Sequence, residues 1–147
     1  MRILIVEDQE AKAGNLKDFI SSQYSDTVID IAQSYQSGVE KGISGDYDLL
    51  LLDMTLPNFD RKPGEEGGIT RMKGGQLIIE ELVENDISFK CAVVTQYETF
   101  DNETIEDVDS QMKDICGDCY YGYVKYNNSD ENWKEELKII IDKCFQS

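Results

Sequence analysis

Three runs of consecutive apolar residues, Ile3-Leu-Ile-Val6, Leu49-Leu-Leu-Leu52 and Cys91-Ala-Val-Val94, constrain the fold more than any other feature of this chain. Each is four residues long, bounded by polar residues and without alternation, the pattern of a strand covered on both faces by helices. Residues 28–31 alternate more and suit an edge strand, and residues 123–124 mark a fifth. The stretches between them carry helical spacing. Asp8 is a plausible N-cap for a helix over 9–22 with Ala13, Leu16 and Ile20 on one face. Further helices are expected over 34–43 and 76–83, and from Thr104 through Ile105, Val108, Met112 and Ile115. The last helix shows Trp133, Leu137, Ile140, Ile141 and Cys144 as one stripe, with Ser129 or Asp130 as its cap. Strands alternating with helices give an α/β fold, (βα)5, a doubly wound five-stranded parallel sheet.

The 147 residues suit a single domain, 1–147, interrupted by an inserted Gly-rich loop at about 58–75. That segment has five Gly, one Pro, no apolar periodicity, and Arg61, Lys62, Arg71 and Lys73 against three carboxylates. Structureless loops of this length are uncommon in compact domains; a solvated excursion and a lid or docking element are both open readings. Thirty acidic residues against fourteen basic ones give a net charge of −16, which repels phosphate backbones and anionic lipid heads. Neither nucleic acid nor membrane is expected as a partner. No apolar run approaches the ~20 residues of a membrane span, and Glu7-Asp8 interrupts any signal peptide, so the expected location is cytoplasmic. The absence of histidine removes Ser-His-Asp and Cys-His catalysis and His-ligated zinc. Cys116-Gly-Asp-Cys119 has neither a second such pair nor a histidine in the sequence and reads as structural rather than as a redox or zinc motif.

In open α/β sheets the ligand site lies beyond the carboxyl ends of the strands. Here Glu7 and Asp8 follow the first strand, Asp53 the third, Thr95 ends the fourth and Lys125 the fifth. Clustered carboxylates need a cation, and oxygen donors with room for water suit Mg2+. Mg2+ beside a carboxylate nucleophile is a phosphoryl-transfer arrangement, in which a Lys and a Thr hydroxyl bind the phosphoryl oxygens. Asp53, on the central strand, is the natural nucleophile.

These residues resemble the receiver domain of two-component response regulators over nearly the whole chain. Ile3-Leu-Ile-Val-Glu-Asp8 is similar to that family's first strand and acidic pair, and Tyr47-Asp-Leu-Leu-Leu-Leu-Asp-Met-Thr-Leu-Pro57 to its third strand, phospho-acceptor and following Pro. Val93-Val-Thr95 and Gly122-Tyr-Val-Lys125 are similar to its switch Thr and its Lys. The resemblance implies a flavodoxin-like strand order, 2-1-3-4-5. It also implies Mg2+ held by Asp8, Asp53 and the Thr55 carbonyl, with Glu7 through water. Asp53 would take phosphate from a histidine kinase or histidine phosphotransfer protein, with Thr95 and Lys125 at the phosphoryl group. As a stand-alone receiver without a turnover activity on an external substrate, it would signal to a separate downstream target protein.

Departures from the family pattern are equally legible. Residues 58–73 are inserted before Gly74-Gly75, Gly122 stands where an aromatic usually precedes the Lys, Tyr126 replaces the usual Pro, and Gln96 is large. A degenerate receiver, acting as a phosphorylation-independent interaction module, is the alternative. A dehalogenase-type phosphatase needs a second Asp where Thr55 stands, and a flavodoxin phosphate loop is incompatible with Glu7-Asp8.

Overall fold

The computed structural model describes residues 1–100 and 102–145; the end of the expected domain, 146–147, lies outside the described residues. Five parallel strands, β1 (Arg2–Val6), β2 (Val28–Ala32), β3 (Leu49–Leu52), β4 (Lys90–Thr95) and β5 (Tyr120–Lys125), pair in the order β2-β1-β3-β4-β5. The three apolar runs are the three inner strands, and all four residues of β3 are buried. β2, with its alternating sequence, lies at one edge and is only partly covered. Four helices connect the strands, α1 (Glu10–Gln23), α2 (Tyr35–Ser44), α3 (Gly74–Glu84) and α4 (Ile105–Cys116), and α5 (Asn132–Phe145) follows β5.

Two apolar layers follow from this winding. On one face Leu4, Val6, Leu50, Leu52 and Val93 pack with Ile78, Ile79 and Leu82 of α3 and Val108 and Met112 of α4. On the other, Ile3, Ile5, Leu49, Leu51 and Val94 pack with Leu16 and Ile20 of α1 and the whole expected stripe of α5. The cap of α1 differs from expectation. The N-cap is Gln9, without a side-chain cap bond, because the Asp8 carboxylate pairs instead with Arg61 at 3.1 Å. Before α5, Asp130 Oδ1 accepts from the Asn132 N–H.

The inserted segment is ordered around a short antiparallel ladder, not a structureless excursion. Leu56–Pro57 pairs with Thr70–Arg71, and the Asn58 and Phe59 N–H groups donate to Ile69 O and Gly67 O, each at 2.9 Å. The hairpin is tied to α2, where Ser37 Oγ donates to Asp60 at 2.7 Å. Its second arm leads into α3 through Gly74-Gly75. A Cβ at Gly75 would lie 2.4 Å from the Asp53 carbonyl oxygen, so only glycine lets α3 start against that backbone. Among the described residues no helix is long and apolar enough to cross a membrane.

Candidate functional site

The carboxyl ends of β1 and β3 lie side by side, with Val6 in register with Leu52, so the residues that follow them meet. One carboxylate oxygen from each of Glu7, Asp8 and Asp53 lies within 4.8 Å of the others. Glu7 and Asp53 are almost wholly buried, at 2% and 4% exposure. A cavity of about 240 Å3 opens over Asp8 and Asp53, lined also by Thr55, Arg61, Thr70 and Tyr97. Asp53 Oδ1 accepts from the Met54 N–H at 2.9 Å.

Sequence reasoning missed the cation inside this cluster. Lys12, 2% exposed, places Nζ 2.6 Å from Glu7 Oε1 and 3.6 Å from Asp53 Oδ1, and donates to the Val94 carbonyl at 3.0 Å. A lysine in a helix ordinarily reads as solvated. The available signal was positional, since Lys12 precedes Leu16 by four and Ile20 by eight on the stripe that faces the sheet. Tyr126 closes the other side, with its ring centre 5.5 Å from Lys12 Nζ and 5.1 Å from the Trp133 ring. Asn15 Nδ2 donates to the Tyr126 hydroxyl at 2.8 Å. The departure from Pro at 126 therefore has a local role, as the aromatic wall of the Lys12 pocket. Among the described residues no peptide bond is cis.

Burial first, and then the charge of Asp53, push the Glu7 carboxyl up to about 8, against the opposing pull of Lys12. Asp53 is likewise raised, mainly by burial, while Lys12 and the Met54 N–H act in the opposite direction. One buried ammonium is thus too little positive charge for the cluster, which is the condition under which oxygen donors attract a hard cation.

The remaining expected residues are placed differently. Thr55 is at the cavity, its hydroxyl donating to Met72 O at 3.3 Å. Thr95 is fully buried, and its Oγ1 accepts from the Tyr97 N–H at 3.2 Å. Lys125, expected at the phosphoryl group, is turned toward a different partner in this structure. Its half-exposed side chain pairs with Glu98 at 3.3 Å, at the rim of a neighbouring depression. Lys12 already occupies the electrostatic position beside Asp53, and the acidic stretch after β4 supplies Lys125 with its own partner.

No protein-family model matches the chain. It is 29% identical over 143 residues to the Detocs response regulatory protein DtcB of Enterobacter cloacae strain JD6301, a match covering 93% of this chain and 95% of that protein. Among solved structures, the response regulator domain of Thermotoga maritima CheB superposes with a TM-score of 0.69 at 16% identity, over 100% of this chain and 98% of that one. The Thermotoga maritima response regulator TrrA, solved in complex with Mg2+-BeF, superposes with a TM-score of 0.62 at 21% identity, over 95% and 97% of the two chains. The structural likenesses bear on the fold, and Glu7, Asp8 and Asp53 stand together at the carboxyl ends of β1 and β3. This chain has the fold of response-regulator receiver domains and is similar over nearly its whole length to a response regulatory protein.

Proposed function

We propose that Asp53 accepts a phosphoryl group from a phosphohistidine of a partner histidine kinase or phosphotransfer protein, and that the phosphorylated domain signals to a separate target protein in the cytoplasm. The observation that carries this reading is the Asp53 carboxylate at the end of the central strand, facing a small polar cavity beside Glu7 and Asp8. The Met54 N–H and Lys12 hold Oδ1, which leaves Oδ2 as the attacking atom. The new O–P bond forms as the donor's N–P bond breaks, and the imidazole nitrogen keeps the electron pair and takes a proton from solvent. Glu7, Asp8, Asp53 and the Thr55 carbonyl fit Mg2+ as hard oxygen donors. When bound, the ion neutralises charge on the phosphoryl oxygens. Lys12 offsets part of the negative charge shared by Glu7 and Asp53. The domain is consumed and regenerated by this chemistry, and is not an enzyme turning over an external substrate.

Treatment with acetyl phosphate and Mg2+ should add one phosphoryl group to the intact mass, and EDTA should prevent it. No increment with Mg2+ at any donor concentration would leave the phosphorylation-independent module as the reading. Two observations favour that second reading: Lys12 supplies a built-in cation, and Lys125 is engaged by Glu98.

Two further outcomes are expected at the rim. Arg61, half-exposed on Asp8, competes with a metal ion for that carboxylate. Arg61→Ala should tighten Mg2+ binding by about two- to fivefold, the range of an exposed ion pair worth under ~1 kcal/mol. Calorimetric titration that gives equal affinities would remove Arg61 from the site. Lys125 leaves Glu98 for the phosphoryl oxygens once these carry charge. Lys125→Ala should therefore leave labelling of Asp53 in place while abolishing the phosphorylation-dependent chemical-shift changes of the Gln96–Glu98 amides. Unaltered shift changes in the variant would contradict this.

A further inference from the structure

At the other end of β4 the fold assembles a second constellation, one that the sequence separates by 25 residues. Cys91, the second residue of β4, is fully buried, and its Sγ lies 3.9 Å from Cys116 Sγ at the end of α4. The chain then turns through a short 3-10 helix, Gly117–Cys119, which brings Cys119 back so that all three sulfurs lie within 4.8 Å of one another. Gly117 adopts φ 63° there, a left-handed conformation that glycine enters without strain. Cys116 and Cys119 are partly exposed, and all three are free thiols. The fourth cysteine, Cys144, is buried in the opposite apolar layer.

We infer that Cys91, Cys116 and Cys119 form a three-thiolate site for a soft d10 metal ion, Zn2+ or Cu(I). The sulfur spacing carries the argument. With metal–sulfur bonds of about 2.3 Å, sulfurs around one ion stand about 3.8 Å apart in a tetrahedron and about 4.0 Å apart in a trigonal plane. The 3.9 Å between Cys91 and Cys116 already has that value. A disulfide needs about 2.05 Å, would require one pair to close by nearly half, and would leave the third thiol without a role. Sulfur donors select Zn2+ and Cu(I) over the hard ions that suit the carboxylates at the far end of the strand. Among the described residues no fourth Cys, Asp or Glu joins the group, so Zn2+ would take solvent as its fourth ligand, whereas Cu(I) needs only the three. On binding, each thiol releases its proton to the buffer and three S–metal bonds form, with no change of oxidation state. The bound ion would clamp the C-terminus of α4 to β4.

The test uses the full chain, reduced with a non-thiol phosphine. Co2+, as a probe for Zn2+, should produce thiolate-to-cobalt charge-transfer absorption with one equivalent, and Zn2+ should displace it. Coordination at Glu7, Asp8 and Asp53 is through oxygen and gives no such band. Cys116→Ser and Cys119→Ser, both at partly exposed positions, should each lose the band, whereas Cys144→Ser should retain it. Zn2+ should raise the denaturation midpoint of the wild type and not that of Cys116→Ser. Capture of Cu(I) from a chromophoric chelator without a cobalt band would support the same site with the monovalent ion. Neither band nor capture in the reduced protein would overturn the inference, as would a band that survives both serine variants.

Discussion

Asp53→Asn will take up no phosphoryl group from acetyl phosphate or from a phosphohistidine donor, and it will unfold at a higher temperature than the wild type. Both effects come from the same atoms. The amide lacks the charge that makes Oδ2 a nucleophile, while its oxygen can keep the 2.9 Å bond from the Met54 N–H, so the loop after β3 holds its form. Burial raises both Asp53 and Glu7 in the wild type, and the charge of Asp53 raises Glu7 further; removal of that charge relieves Glu7 and leaves Lys12 to it alone. Intact-mass measurement and a thermal melt on the same sample read the two outcomes. A labelled Asn variant would move the acceptor elsewhere. A melt well below that of the wild type would show that the paired carboxylates are not repelling.

Lys12→Met has the largest expected effect on stability. Methionine keeps most of the volume and flexibility of the side chain, so the cavity term is small. What disappears is the ammonium between Glu7 and Asp53 and the donor to Val94 O. Breaking a buried ion pair from one side costs about 3–5 kcal/mol, a large share of the roughly 5–15 kcal/mol by which domains are stable. Urea unfolding with unchanged m-value should show this loss. Millimolar Mg2+ should recover more of it in the variant than it adds to the wild type, because a metal ion then supplies the missing charge. A variant within about 1 kcal/mol of wild type would mean that Lys12 is not the counter-charge of the cluster.

What could be read in advance followed from locality. A run such as Leu49–Leu52 states its own burial, and a polar residue at its end states where the site lies, so the sheet, its helices and the Glu7, Asp8 and Asp53 group were legible. The position of Lys12 was not, because its burial depends on the angle at which α1 lies on the sheet and on a tyrosine 114 positions later. The pairing of Lys125 with Glu98 was not legible for the reverse reason: a strand-end position gives the residue its place but not the direction of a long flexible side chain. The thiol group escaped because Cys116-x-x-Cys119 alone is weak and its third member belongs to another strand. The hairpin inside the Gly-rich segment has ladders only two residues long, below what alternation can signal.

That hairpin also makes the domain modular at one point. Its stem is closed twice, at Pro57 with Thr70 and at Phe59 with Gly67, so residues 60–66 leave and return to nearly the same place. Closure entropy rises by only about 0.6 kcal/mol for each doubling of a flexible loop, and a tip of this kind can be lengthened or exchanged for an unrelated peptide without disturbing β3 or α3. Arg61 sits in that exchangeable tip, however, and reaches back to Asp8. Any graft, and any natural variation in the tip, therefore resets the ion affinity of the acceptor site as a side effect. Tip length and signalling threshold are expected to vary together, through one guanidinium.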